Sequence, residues 1–177
     1  MPFTVSITEQ DLYTALSAFL ATVLPAGVVT VQLPINRAPM PAPVPGFVGI
    51  STSMQKRIMT NLDRWDQNDP APASIDIEQA VKFSVKLDCY GADSFDWATM
   101  LSTLLRDEYA VTALAPTMAP LYTDDPRFMA LTDGEAQYEK RWIVLAQFQY
   151  NPVITTPMQF MDAAAADLIN VDVSYPP

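Results

Sequence analysis

The chain has 177 residues, half of them hydrophobic and 17% charged, with a net charge of -10 and a pI near 4.2. That composition excludes a disordered polymer, and with only ten basic residues spread along the sequence it argues against groove-reading of nucleic acid, which needs clustered lysine and arginine. There is no histidine, which removes Ser-His and Cys-His nucleophiles, imidazole metal ligands and histidine acid–base chemistry together.

The length suits one domain, residues 1–177, and the low charge fraction suits a subunit that buries apolar surface against neighbours. No apolar run approaches the roughly 20 residues of a membrane span, and the N-terminus lacks a basic-then-apolar signal pattern, so a cytosolic protein without a membrane partner is expected. Single Cys89 allows no internal disulfide.

In chain order, Thr8 is placed to cap a helix over Thr8–Leu24, with Leu12, Leu16, Phe19, Leu20 and Val23 on its apolar face and Pro25 and Gly27 ending it. Val28 to Leu33 reads as a short strand of β-branched residues. Pro34, Pro39, Pro41, Pro43 and Pro45 then make residues 34–45 an extended segment, either a stiff surface loop or an arm that touches a neighbouring subunit through Ile35, Arg37 and Met40. Phe47 to Thr52 and Arg57 to Trp65 read as strands, and Asp66 to Pro72 as a turn.

The strongest pattern comes next. Val81, Phe83, Val85, Leu87 and Cys89 alternate with Lys82, Ser84, Lys86 and Asp88, the period of a strand with one face in a core and the other wet. Gly91 stops it, and Asp93 or Ser94 opens a helix Ser94–Ala110 carrying Trp97, Met100, Leu101, Leu104 and Leu105. Ala115 to Thr132, broken by Pro116, Pro120 and Pro126, reads as irregular. Gln137 to Tyr150 is the second strong strand, with Tyr138, Trp142, Val144, Ala146, Phe148 and Tyr150 on one face. A final strand is expected over Ala165 to Val173, followed by an extended end at residues 174–177. The expected fold is α+β: an antiparallel sheet of four or five strands with two helices packed on one face.

Little in the chain points to chemistry. Cys89 falls on the apolar strand face and reads as a small buried hydrophobe. Asp124, Asp125, Asp133 and Glu135 form the densest carboxylate group but lack the spacing of a calcium loop, and with Asp63, Asp66 and Asp69 they read as solvated loop acids. The glycines match neither a phosphate loop nor a dinucleotide fingerprint. Trp97 and Trp142 belong to core faces, and the pairs Lys56-Arg57 and Lys140-Arg141 read as solvated strand edges or inter-subunit salt-bridge donors. No cofactor, metal or catalytic residue is expected.

From about Ile7 to Pro177 the order of features resembles the neck or tail-terminator (tail-completion) proteins of tailed bacteriophages. The matching pieces are Leu12-Tyr-Thr-Ala-Leu-Ser-Ala-Phe-Leu20, Lys86-Leu-Asp-Cys-Tyr-Gly91, Leu104-Leu-Arg-Asp-Glu-Tyr-Ala110, Ala119-Pro-Leu-Tyr-Thr-Asp-Asp-Pro-Arg127, Gln137-Tyr-Glu-Lys-Arg-Trp142, Asn151-Pro-Val153 and Asn170-Val-Asp-Val-Ser-Tyr-Pro-Pro177. The resemblance implies a non-enzymatic virion protein, assembled in the host cytoplasm into a ring, expected to be a hexamer, between tail tube and head connector. Its partners would be itself, the tail-tube protein and the connector or adaptor protein, with DNA only as passing cargo. Ile35, Arg37, Met40 and Tyr175 are then candidate inter-subunit contacts, and Asp63, Asp66, Asp69, Asp124, Asp125 and Asp133 candidate lumen liners. A head-side connector or stopper ring and a tail-tube subunit are the alternatives within virion assembly; a small acidic ligand-binding or hydrolytic domain is the alternative outside it.

Overall fold

The computed structural model describes residues 3–33, 41, 44–66, 73–132 and 138–158. Helix α1 (Glu9–Val23) starts where the sequence places it: the Thr8 backbone N–H donates to Asp11 Oδ2 at 2.8 Å and the Asp11 N–H donates to Thr8 Oγ1 at 3.3 Å, a reciprocal capping box. The Thr8 hydroxyl, donating to Asp11 Oδ2 at 2.6 Å, and then the Thr8 N–H hold the Asp11 carboxyl below its ordinary value. At the other end Leu24 turns to extended backbone and Gly27 adopts a positive φ of 93°, which glycine tolerates without strain.

The expected second helix is two. Helix α2 (Ser94–Leu104) ends, and α3 (Glu108–Leu114) begins after Asp107, whose carboxylate accepts the Tyr109 N–H at 2.9 Å. Asp107 has the extended backbone of a residue that caps α3, and with that backbone it cannot also continue α2.

The strands are β1 (Thr4–Val5), β2 (Val29–Gln32), β3 (Phe47–Arg57), β4 (Leu62–Asp66), β5 (Ser74–Glu78), β6 (Val81–Tyr90), β7 (Ala119–Thr123), β8 (Arg127–Phe128), β9 (Leu131–Thr132), β10 (Tyr138–Glu139), β11 (Arg141–Tyr150) and β12 (Val153–Pro157). The large sheet has the order β2-β3-β6-β11-β7, with β8 also on β11. It is mixed rather than purely antiparallel, because β2 lies parallel to β3 at the edge while the other pairs are antiparallel. A parallel neighbour requires a crossover longer than a hairpin turn, which the stretch between Leu33 and Gly46 supplies. A second sheet has the order β1-β12-β5-β4, and β9 pairs β10. The fold is therefore α+β, with three helices and more strands among the described residues than the sequence led us to expect. Residues 115–132 include β7, β8 and β9 rather than irregular chain, and the expected strand at 165–173 lies outside the described residues.

The two larger sheets share one strand trio. β3 leads into β4, β5 into β6 and β11 into β12, so β3-β6-β11 in one sheet becomes β4-β5-β12 in the other. The joint is hydrogen-bonded: Ile58 N–H donates to the Ala80 carbonyl at 2.9 Å and Gln79 N–H to the Pro152 carbonyl at 3.1 Å.

Register and burial separate the faces of the large sheet. Val48, Ile50, Val81, Phe83, Val85, Leu87, Cys89, Val144, Ala146, Phe148 and Tyr150 form one core cluster with Leu12, Leu16, Phe19 and Leu20 of α1, Trp97, Ala98 and Leu101 of α2, and Ala110 and Leu114 of α3. Phe83 stacks on its cross-strand partner Phe148 with ring centroids 5.5 Å apart, and Tyr150 meets Phe83 edge-on at 5.3 Å. Trp97 is buried here as expected. Trp142 is only partly buried, between Phe95 of α2 and Phe128 of β8. Cys89 is fully buried, and desolvation followed by the neighbouring Asp88 charge pushes its thiol up to about 12.

Candidate assembly surfaces

The residues of β3, β6 and β11 that alternate with the core set share the opposite side of the large sheet. Cross-strand register arranges them in rows: Phe47, Tyr90 and Arg141; Gly49, Asp88 and Ile143; Ser51, Lys86 and Leu145; Met54, Ser84 and Gln147; Lys56, Lys82 and Gln149. The shift between Thr52 and Met54 is a bulge that re-aims β3, bringing Lys56 rather than Gln55 onto this side. Lys56, Lys82, Lys86 and Arg141, distant in sequence, thus converge.

Asp88 is the one acid in these rows, and it is 1% exposed. Arg141 holds its Oδ1 with Nε at 3.0 Å and Nη2 at 2.7 Å, and is itself braced over the Tyr90 ring at 5.5 Å from the centroid. Lys86 Nζ lies 3.2 Å from Oδ2, close enough for ion pairing though not aligned as a hydrogen bond. Lys56 and Lys82 differ. They face one another directly across β3 and β6, and neither forms an ion pair among the described residues. Like charges directly opposite destabilise a pairing, by something on the order of 0.2–1 kcal/mol. Between the Arg141 row and the Lys56–Lys82 row lie Met54, Leu145 and Tyr122, all exposed, and the hydroxyls of Ser51 and Ser84.

The small sheet is two-sided as well. Thr4, Thr155, Asp76 and Arg64 make one row, where Thr155 Oγ1 donates to Asp76 at 2.6 Å and Arg64 pairs with Glu78 at 2.9 Å. On the other side Val5, Ile154, Ile77 and Asp63 form a row, with Val5 and Ile154 exposed.

The sequence-selected residues are scattered. Asp63 sits on β4 at the end of that apolar row, and Asp66 closes the same strand opposite Ser74. Asp125 binds Arg106 Nη2 at 2.8 Å, and Arg106 also donates to the Thr123 carbonyl, so this acid fastens the turn after β7 to the end of α2. Asp124 lies 3.9 Å from Arg127. Ile35, Arg37, Met40, Asp69, Asp133 and Tyr175 lie outside the described residues.

One open cleft of about 380 Å³ lies between the start of α1 and the β3 bulge, lined by Glu9, Leu12, Thr52, Met54, Gln55, Phe83 and Tyr150. Its polar groups bond to one another: Thr52 Oγ1 lies 3.2 Å from the Tyr13 hydroxyl and 3.5 Å from Glu9, and Gln55 donates to the Tyr150 hydroxyl. Burial pushes the Tyr150 phenol up. These groups supply no nucleophile with an adjacent base. Among the described residues no three His, Cys, Asp or Glu side chains are grouped to hold a metal ion, and no helix is long and apolar enough to cross a membrane.

What the geometry offers is surface: one mixed basic and apolar sheet side, and one apolar row on a smaller sheet. Both suit contact with other proteins better than a reaction. Sequence reasoning missed the first because it depends on a register between strands far apart in the chain; the alternation of Lys82 and Lys86 on β6 was the available signal. No curated protein matches the chain. A family model described as phage neck terminator protein matches residues 10–173, nearly the whole length, and the chain belongs to that family of structural proteins of the phage neck.

Proposed function

We propose that the chain assembles into a ring, with six copies as the expected number, between the tail tube and the head connector. There it ends tube growth and presents the surface that the connector binds. The family assignment over residues 10–173 is the observation that carries this reading. Exposed apolar side chains on both sheets support it, since a subunit of a permanent assembly has such surface to bury. The partners are other copies of the chain, the tail-tube protein and the connector or adaptor protein, and assembly takes place in the host cytoplasm before the ring enters the virion. DNA passes through without adhering. Residues 34–45, through Ile35, Arg37 and Met40, and the end at Tyr175 are the proposed subunit straps. Asp63, Asp66, Asp69, Asp124, Asp125 and Asp133 are the proposed acids of the bore, of which Asp124 and Asp125 bring arginine partners that reduce the field they would contribute.

Native mass spectrometry of the purified protein tests the assembly, the expected species being six copies of a 19.5 kDa chain. Added to polymerising tail-tube protein, that species should bind tube ends and arrest elongation, as electron microscopy would show. A chain that stays monomeric at every concentration, or tubes that grow unimpeded past it, overturns the reading.

A further inference from the structure

We infer that the Lys56–Lys82–Lys86 part of the large sheet's second side, opposite the core cluster, is the docking surface for the acidic helical layer of a second copy of this chain. The inference rests on the ring reading and names the contact that would build the ring. Its starting point is an imbalance between the two sides of the fold. The helical layer carries Glu9, Asp11, Asp93, Asp96, Asp107 and Glu108, all exposed, at the starts of α1, α2 and α3, and its single basic residue, Arg106, is engaged by Asp125. The opposite side of the sheet carries Lys56, Lys82 and Lys86, while Arg141 and Asp88, the one acid in its rows, are paired with each other at its buried end beside Phe47 and Tyr90.

Copies with a net charge of -10 repel one another unless their contact sets unlike charges together. The described residues offer one surface where the excess is positive, so contact through it turns a general repulsion into local attraction. The composition also fits an interface: Met54, Leu145 and Tyr122 supply apolar surface, with Lys86 beside Leu145 and the Lys56–Lys82 pair at one end. Lys56 and Lys82 in particular oppose each other, and neither forms an ion pair among the described residues; a carboxylate from the next copy would relieve that repulsion. A contact between two different faces is heterologous. It propagates from copy to copy, and closes into a ring when the two faces are inclined to each other.

The test uses the full-length protein and follows self-association by sedimentation velocity from about 50 mM to about 1 M salt, where the Debye length shortens to about 3 Å. Lys56→Glu together with Lys82→Glu should weaken assembly roughly tenfold or more at low salt. Asp96→Lys together with Glu108→Lys should do the same, and a mixture of the two double variants, with complementary faces again, should assemble. The single change Lys56→Glu separates contact from folding: it creates a favourable cross-strand pair with Lys82, so thermal stability of the monomer should hold or rise while assembly falls. Unchanged assembly by the lysine variant, or a mixture that stays dissociated, overturns the inference and leaves the ring reading standing. A wild-type chain that never self-associates overturns both. Fluorescence anisotropy with a short DNA duplex provides the last arm: binding by the wild-type chain that the lysine variant loses would assign this surface to phosphates instead.

Discussion

Replacing Arg141 by Met removes the principal partner of a carboxylate that is 1% exposed. The arginine side chain is itself only 14% exposed, so Asp88 would lose two hydrogen bonds in a site that water does not readily enter. Breaking a buried pair from one side costs about 3–5 kcal/mol, because the remaining charge is left uncompensated. Lys86 stays 3.2 Å from the other carboxylate oxygen, with its side chain 35% exposed, and this places the expected loss near the lower end, about 3 kcal/mol. For a chain of this length that lowers the melting temperature by about 6–12 °C. The companion variant, Arg141→Met with Asp88→Leu, removes both charges and should recover to within about 1 kcal/mol of the unaltered protein, since apolar residues of similar volume can replace a buried pair at little cost. Urea unfolding at two protein concentrations measures both and separates folding from any assembly. A loss below about 1 kcal/mol for Arg141→Met would place the pair among surface ion pairs and refute the reasoning. A double variant as unstable as the single would refute it equally.

Two further outcomes concern the core. Phe148→Ala removes a fully buried ring stacked on Phe83 and should cost about 3–5 kcal/mol in urea unfolding; a cost below about 1.5 kcal/mol would mean that the two sides of the large sheet have been misassigned. Cys89, with its thiol pushed up to about 12, is thiolate to only about one part in ten thousand at pH 8, so a disulfide reagent should fail to label the native protein and label it fully in urea; rapid native labelling would contradict its burial.

The parts of this fold legible in the sequence are those whose cause is local. The capping box needs only Thr8 and Asp11, and the alternation along β6 and β11 shows which side of each strand meets the core. The strands that escaped notice lack such a local cause. β7 contains Pro120, and a strand tolerates proline at an edge, where its missing N–H is not needed for pairing. β12 begins directly after Asn151-Pro152, a dipeptide that by itself reads as an end, yet the Pro152 carbonyl accepts a hydrogen bond from Gln79 across the joint. The helix break at Asp107 was written in the sequence as a second capping residue, hidden by the apolar residues that continue beyond it. The basic side of the sheet was the hardest to foresee. Lys56-Arg57 and Lys140-Arg141 are adjacent pairs in the chain, but strand pleating sends Lys56 and Arg141 to one side, where the bulge in β3 completes the convergence.

The strand trio shared by the two sheets has a mechanical consequence. A small sheet hung on one covalent linker could swivel about it; this one is attached by three backbones crossing side by side at residues 58–61, 79–80 and 151–152. Turning it about any one crossing would shear the hydrogen bonds from Ile58 to Ala80 and from Gln79 to Pro152 that tie the crossings together. The small sheet therefore behaves as a cantilever. A partner that grips its apolar row applies torque to β3, β6 and β11, the same strands that carry the core and the basic side. Load taken up by the small sheet would pass directly into the strands that carry the core cluster.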